Sequence, residues 1–175
     1  MGDKYYDKKN YSAAIEYYSK AIKILPNFAI AYYDRGNAYS LLEKNYNAIS
    51  DYTKAIELNP EFTDAYHYRG DRYFNISDYS SAIRDYDKVL SKFPNDIPVI
   101  CYRGVCYDFS GEHYKAISDF NRAIELDPEY GFAYYNRGCA YSNIHNTRKA
   151  CADWQKAVSL GDEFSKEMLY KYCSH

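Results

Sequence analysis

Residues 29–60 read AIAYYDRGNAYSLLEKNYNAISDYTKAIELNP, two apolar-periodic stretches closed by a stop signal. From Ala29 to Leu42, Tyr32, Gly36 and Tyr39 recur at helical spacing on one face. From Asn45 to Leu58, Ala48, Tyr52, Ala55 and Ile56 do the same. Asn59-Pro60 then ends the second stretch, because proline donates no hydrogen bond and drives its predecessor out of the α region. The pattern predicts two antiparallel helices that touch where their side chains are small. Gly36 and Ala48 permit the close approach, and the Tyr52 ring fills the space beside the glycine.

The same wording returns along the whole chain. Pro26, Pro60, Pro94 and Pro128 stand 34 residues apart, as do Gly36, Gly70, Gly104 and Gly138. Ala14, Ala48, Ala82, Ala116 and Ala150 form a third column, and Tyr18, Tyr52, Tyr86, Phe120 and Trp154 a fourth. Tyr39, Tyr73, Tyr107 and Tyr141 form another, extended backwards by Tyr5, and no insertion breaks the phase. A 34-residue helix–turn–helix with this Gly, Tyr, Ala, aromatic, Ala, Pro pattern resembles the tetratricopeptide repeat, and the Tyr-Tyr-x-Arg-Gly wording resembles its bacterial members.

The resemblance implies an all-α fold: a right-handed α-solenoid of antiparallel helix pairs in a single array over 1–175. Residues 1–28 read as a partial repeat, and 29–62, 63–96, 97–130 and 131–164 as full ones. In the last repeat Asp162 replaces the proline, and Gly161 supplies the stop. Residues 163–175 read as a terminal helix, with 165–175 beyond the last repeat as the C-terminal capping helix, and with Phe164, Met168, Leu169 and Tyr172 on one inward face and Ser165, Lys166, Glu167, Lys171 and Ser174 turned to water. The first helix of the partial repeat is cut short at Met1. The expectation is that the chain continues a longer array, or that a partner or second copy covers this end.

One covariation sits inside the repeat. Arg35, Arg69, Arg103 and Arg137 precede the four glycines, and Asp51, Asp85, Asp119 and Asp153 precede the second-helix aromatics. The partial repeat has Met1 and Tyr17 there, so the two types appear and vanish together. An Arg–Asp pair between the two helices of each repeat is predicted, since the guanidinium fork gives a carboxylate two parallel bonds.

Composition narrows the function. The 175 residues are 47% hydrophobic and 26% charged, with net charge −2, which disfavours nucleic acid as the main partner. No apolar run reaches the ~18–20 residues of a membrane span, and the N-terminus lacks a secretory apolar stretch. The five cysteines, odd in number and without a C-x-x-C pair, suggest no disulfide framework and a reduced, cytoplasmic setting, with the periplasm left open. The histidines lack regular acidic or cysteine neighbours, and Cys101, Cys139 and His67 lack ligand spacing. No catalytic residue, metal or cofactor is expected.

What remains is a binding surface. In tetratricopeptide arrays the first helix of each repeat lines the concave face, and the residues between core columns point into it. Here these include Tyr33, Asp34 and Asn37; Asp64, His67, Tyr68, Asp71 and Phe74; Cys101, Tyr102, Val105, Asp108 and Phe109; and Phe132, Tyr135 and Asn136. Tyrosine makes up 24 of the 175 residues, and no packing column of the repeat requires these groove aromatics. They offer contact area at low entropic cost, the asparagines can bond peptide amides, and the aspartates suit a ligand with apolar and some basic character. The carboxylate clamp of one subclass is missing: Asn37 fits, but the lysine and arginine places hold Tyr33, Pro98 and Tyr102. The reading is a protein–protein interaction module for a peptide or partner helix. The alternatives are a scaffold or spacer self-associating through its ends, including a homodimer through the N-terminal partial repeat, and a regulatory segment of a larger protein.

Overall fold

The computed structural model describes Gly2 and residues 10–173, and all regular structure there is helical. In order, the helices are α1 (Tyr11–Ile24), α2 (Ala29–Leu41), α3 (Asn45–Leu58), α4 (Thr63–Asn75), α5 (Tyr79–Lys92), α6 (Ile97–Phe109), α7 (His113–Leu126), α8 (Gly131–Asn143), α9 (Thr147–Ser159) and α10 (Phe164–Cys173). The fold is an all-α solenoid of helix pairs. Tyr5, Ser174 and His175, used in reading the columns and the last helix, lie outside the described residues. Two compact units divide the chain, Met1–Lys92 and Phe93–His175.

In the first unit α2 pairs with α3 and α4 with α5, while α1 packs on α2 and α3 on α4. The pairing follows from the small-residue column. A Cβ added at Gly36 would stand 2.8 Å from the Tyr52 ring, and one at Gly70 2.9 Å from the Tyr86 ring, so the helices meet at a distance no side chain permits. Tyr52 and Tyr86 are fully buried by this contact. Gly2 stands in the same relation to Tyr18. Between repeats, Ala38 of α2 seats against Ala14 and Tyr18 of α1.

The second unit repeats the plan, with α6 on α7, α8 on α9, α7 on α8 and α10 on α9. Phe120 lies over Gly104 and Trp154 over Gly138. Asp96 caps α6 by accepting the Val99 N–H at 3.2 Å, and Pro98 occupies its first turn, where a missing N–H costs nothing.

Two expectations about the C-terminus are corrected. The first concerns phase. Gly161, at φ +93°, ends α9, and Asp162 then accepts the Ser165 N–H on its carboxylate at 2.7 Å. A proline in that column has no such cap. Ser165, expected to face water, is fully buried, and Phe164, expected to turn inward, has 74% of its surface exposed, while Met168 and Leu169 stay partly buried as expected. The second concerns thiols. Cys151 of α9 and Cys173 of α10 form a disulfide, with Cα atoms 5.9 Å apart. An odd cysteine count excludes a fully paired set but not one bond, and the packing of α10 on α9 brings together two cysteines 22 residues apart in sequence. Cys101, Cys106 and Cys139 are not part of this disulfide.

Candidate functional site

The first helices are held in place by a repeated lattice. Arg35, Arg69, Arg103 and Arg137 each donate from Nε and Nη2 to the two carboxylate oxygens of Asp51, Asp85, Asp119 and Asp153, at 2.7–2.9 Å. The predicted Arg–Asp pair is thus present in all four repeats, bidentate and shielded from water. The third guanidinium nitrogen reaches further back. Nη1 of Arg35, Arg69 and Arg137 donates to Ser19, Thr53 and Asn121 on the second helix of the preceding repeat. Each of these arginines therefore ties two helices of its own repeat to a third. Tyr32, Tyr66 and Tyr134 lie under the guanidinium planes, 5.4–5.6 Å from ring centre to Cζ.

In the first unit the face of α2 and α4 carries eight of the candidate residues. Tyr33 is not a loose groove ring. It packs against Phe62 at 4.7 Å between centroids and against Tyr52 and Tyr68 at 6.0 Å, beside the buried Ala55, Ile56 and Ala65. Burial pushes its phenol up to about 12. Asn37 and Asp71 are also committed to the fold: the Tyr52 hydroxyl donates to Asn37 Oδ1 at 2.7 Å, and the Tyr86 hydroxyl to Asp71 Oδ1 at 2.9 Å. Desolvation raises the Asp71 carboxyl, opposed by His67 and by the Tyr86 bond. Asp34 is half-buried and Asp64 exposed. Tyr68 is exposed on one side and stacked on the other, 5.4 Å from the His67 ring and 12° from parallel with it. Phe74 leans on Tyr79 across the α4–α5 turn at 5.9 Å.

In the second unit, Tyr102 and Phe132 stand 5.9 Å apart on α6 and α8, both partly open to water, and Phe109 is open to it more fully. Tyr135 is half-buried, and desolvation first, then the neighbouring Cys139, pushes its phenol up to about 12. Asn136 donates to the Phe132 carbonyl at 2.8 Å. Cys101 and Val105, read as lining the face, are core residues instead. Asp108 is held from both sides, by His113 Nδ1 at 2.7 Å and by the Asn143 amide at 3.0 Å. The thiols make poor nucleophiles: burial pushes Cys101 up to about 12 and raises Cys139.

Two groups stand apart among the candidate residues. Tyr33, Asn37 and Asp71 belong to the packing, which corrects the expectation that no packing column uses them. Asp64, Tyr68, Tyr102, Phe109 and Phe132 are presented to solvent on a fixed frame. The column Ser19, Thr53, Asn121, which completes the arginine lattice, was open to the same 34-residue reading and was missed because those residues look like solvated helix positions.

Models described as TPR repeat and tetratricopeptide repeat match residues 2–43, 29–62, 98–130 and 120–152. No curated protein sequence matches the chain. Among solved structures, a crystal structure of MamA is similar at 27% identity and a TM-score of 0.86, covering 98% of each chain. YrrB, described as a TPR protein with an unusual peptide-binding site, superposes with a TM-score of 0.90 at 24% identity, over 97% of this chain and 88% of that one. MamA 41-end from Desulfovibrio magneticus RS-1 does so at 0.86 and 21%, over 91% and 90%. The latter two, at these identities, show the fold alone. No described helix is long and apolar enough to cross a membrane.

Proposed function

Because the chain belongs to the tetratricopeptide-repeat family, whose members generally mediate protein–protein interaction, we propose that the first-helix faces of its repeats bind a peptide or partner helix and perform no chemistry on it. One observation carries the reading. Tyr68, Tyr102 and Phe132 expose 39–41% of their surface on helices whose positions are fixed by the buried Arg–Asp lattice. Rings held rigid and half in water cost little entropy to engage, which suits them to be anchors. Asp64 beside Tyr68 adds negative charge, so a ligand pairing apolar side chains with basic ones fits best. The same fold supports a peptide-binding site in YrrB.

The test is a peptide library screened against the wild type and a Tyr68→Ala, Tyr102→Ala, Phe132→Ala triple variant. Tyr33 is left intact because it packs the core. Binding lost from a variant with unchanged circular dichroism supports the reading. Binding that survives in the variant moves the working surface elsewhere.

A further inference from the structure

Arg72 breaks a column of small residues. Ala38, Cys106 and Ala140, its counterparts at 34-residue spacing, are fully buried. Ala38 of α2 seats on α1 against Ala14 and Tyr18, with Tyr11 packed alongside. One repeat on, the same columns hold Arg72 on α4 and Ala48, Tyr52 and Asn45 on α3. The arginine thus enters the α3–α4 junction where the residue across it is an asparagine instead of the tyrosine. The volumes compensate, but the bonds do not. Nε of Arg72 and Oδ1 of Asn45 are both buried, and neither has a hydrogen-bond partner.

Arg35, Arg69 and Arg137 use all three guanidinium nitrogens within the fold. Arg72 is half-buried and, among the described residues, makes no hydrogen bond or ion pair. Its chain neighbour Asp71 acts on it only through space, and Asp71 Oδ1 accepts from the Tyr86 hydroxyl. A partly desolvated guanidinium with no acceptor is a fork left open for a carboxylate. With Nε inside the junction, Nη1 and Nη2 are the nitrogens left to meet a ligand.

The place of this fork on α4 says what else the ligand carries. Asp64, Tyr68 and Arg72 follow one another at four-residue spacing, so they form one stripe of carboxylate, ring and guanidinium. Asp64 and Tyr68 are exposed. Eight residues of helix part the two charges by about 12 Å, which an extended chain spans in about four residues. We propose that this stripe binds an extended peptide segment whose aspartate or glutamate side chain docks on Arg72, four positions from a lysine or arginine on Asp64, with an apolar residue on Tyr68 between them. The inference rests on the first-helix faces being the binding surface and supplies the ligand's second charge and its spacing.

The probe is acetyl-Lys-Ala-Leu-Ala-Glu-amide, followed on the full chain through the Arg72 Nε–H resonance and the Tyr68 ring protons. Both should shift and saturate together, with a dissociation constant on the order of millimolar. Acetyl-Lys-Ala-Leu-Ala-Gln-amide should bind about fivefold more weakly, as loss of one half-exposed charge-assisted pair allows. Arg72→Ala restores the residue type that Ala38 and Ala140 provide in this column. It should bring the glutamate probe down to the glutamine probe with circular dichroism unchanged, whereas Tyr68→Ala should weaken both probes alike. The two probes compared on the wild type decide the question even where Arg72→Ala fails to fold. Equal binding of both, with the Arg72 Nε–H unmoved, overturns the inference and leaves the face reading standing. An Arg72 shift that sodium acetate reproduces at the same concentration also overturns it, because the spacing to Asp64 then contributes nothing. Tyr68 and Arg72 both unmoved by either probe counts against the face and the stripe together.

Discussion

Arg69 holds Asp85 with two parallel bonds, Nε to Oδ2 at 2.8 Å and Nη2 to Oδ1 at 2.7 Å, across the two helices of one repeat. Its Nη1 donates to Thr53 Oγ1 of the repeat before, at 3.0 Å. Desolvation raises the Asp85 carboxyl, and the bond to Arg69 works against that. The carboxylate is therefore tolerable in this place only while its partner is present. Removing one member leaves a buried charge uncompensated, so Arg69→Leu should cost about 3–5 kcal/mol. Thermal unfolding of Arg69→Leu, Asp85→Leu and the double variant checks this. The double variant should be more stable than the sum of the two single losses predicts, because it strands no charge.

Tyr86 and Tyr52 solve the same problem with different acceptors. The Tyr86 hydroxyl donates to a carboxylate, Asp71, and the Tyr52 hydroxyl to an amide oxygen, Asn37. Asp71→Asn should therefore keep the bond and shed the cost of a buried charge, leaving stability at pH 7 unchanged or raised by about 1 kcal/mol. The pH dependence carries the sign. Burial raises the folded-state carboxyl above its unfolded value, so the folded protein takes up the proton more readily. The stability this contributes is present at low pH and is lost as pH rises through the raised value. Denaturant midpoints taken upward from pH 4 should fall less steeply for Asp71→Asn than for the wild type.

Where the sequence was legible, a column had one physical cause. Glycine opposite an aromatic, and arginine with aspartate, each answer a single contact, and both contacts are present. The groove was less legible because its positions answer to two demands at once. Tyr33 looks like a surface aromatic until Phe62 of the next repeat is brought against it at 4.7 Å, and nothing local to either residue announces the contact. The acceptor column was readable in hindsight: Asn37 and Asp71 face tyrosines, whereas Val105 stands in the repeat where the aromatic is Phe120, which has no hydroxyl to satisfy. The terminal helix misled because a strict 34-residue count cannot register a change of cap. Asp162 caps the start of the helix, and there Ser165 turns inward and Phe164 outward, while Met168 and Leu169 keep their expected side.

Among the described residues, the turns between paired helices carry a strain that glycine relieves at one place. Glu43, Ser77 and His145 stand at φ of 56°, 62° and 59°, and Gly111 occupies the same column at 78°. A side chain in the left-handed region costs on the order of 1 kcal/mol that glycine avoids, less the extra chain entropy glycine brings to the unfolded state. Ser77 is exposed, so little else is lost. Ser77→Gly should raise stability by about 0.5–1 kcal/mol. Ser77→Val should lower it by more, because a β-branched residue fits that region worst. Equilibrium urea unfolding distinguishes the two directions.

The last helix leaves two of its large aromatic side chains in water. Phe164 faces water, and so does Tyr170, with 82% of its surface exposed, while Tyr172 leans on Trp154 at 5.7 Å between centroids. The Cys151–Cys173 bond closes 22 residues of chain around this docking. Cross-linking a loop of that size restricts the unfolded state by about 3 kcal/mol. Reduction by dithiothreitol, or Cys173→Ser, should therefore loosen α10 while α1 to α8 keep their helices. Trp154 is the chain's single tryptophan and reports the change directly. Its fully buried ring should shift its emission to longer wavelength as Tyr172 withdraws. Helical content by circular dichroism should drop by no more than the one helix. Unchanged emission after verified reduction would show that packing alone, led by the buried Ser165, holds the helix in place.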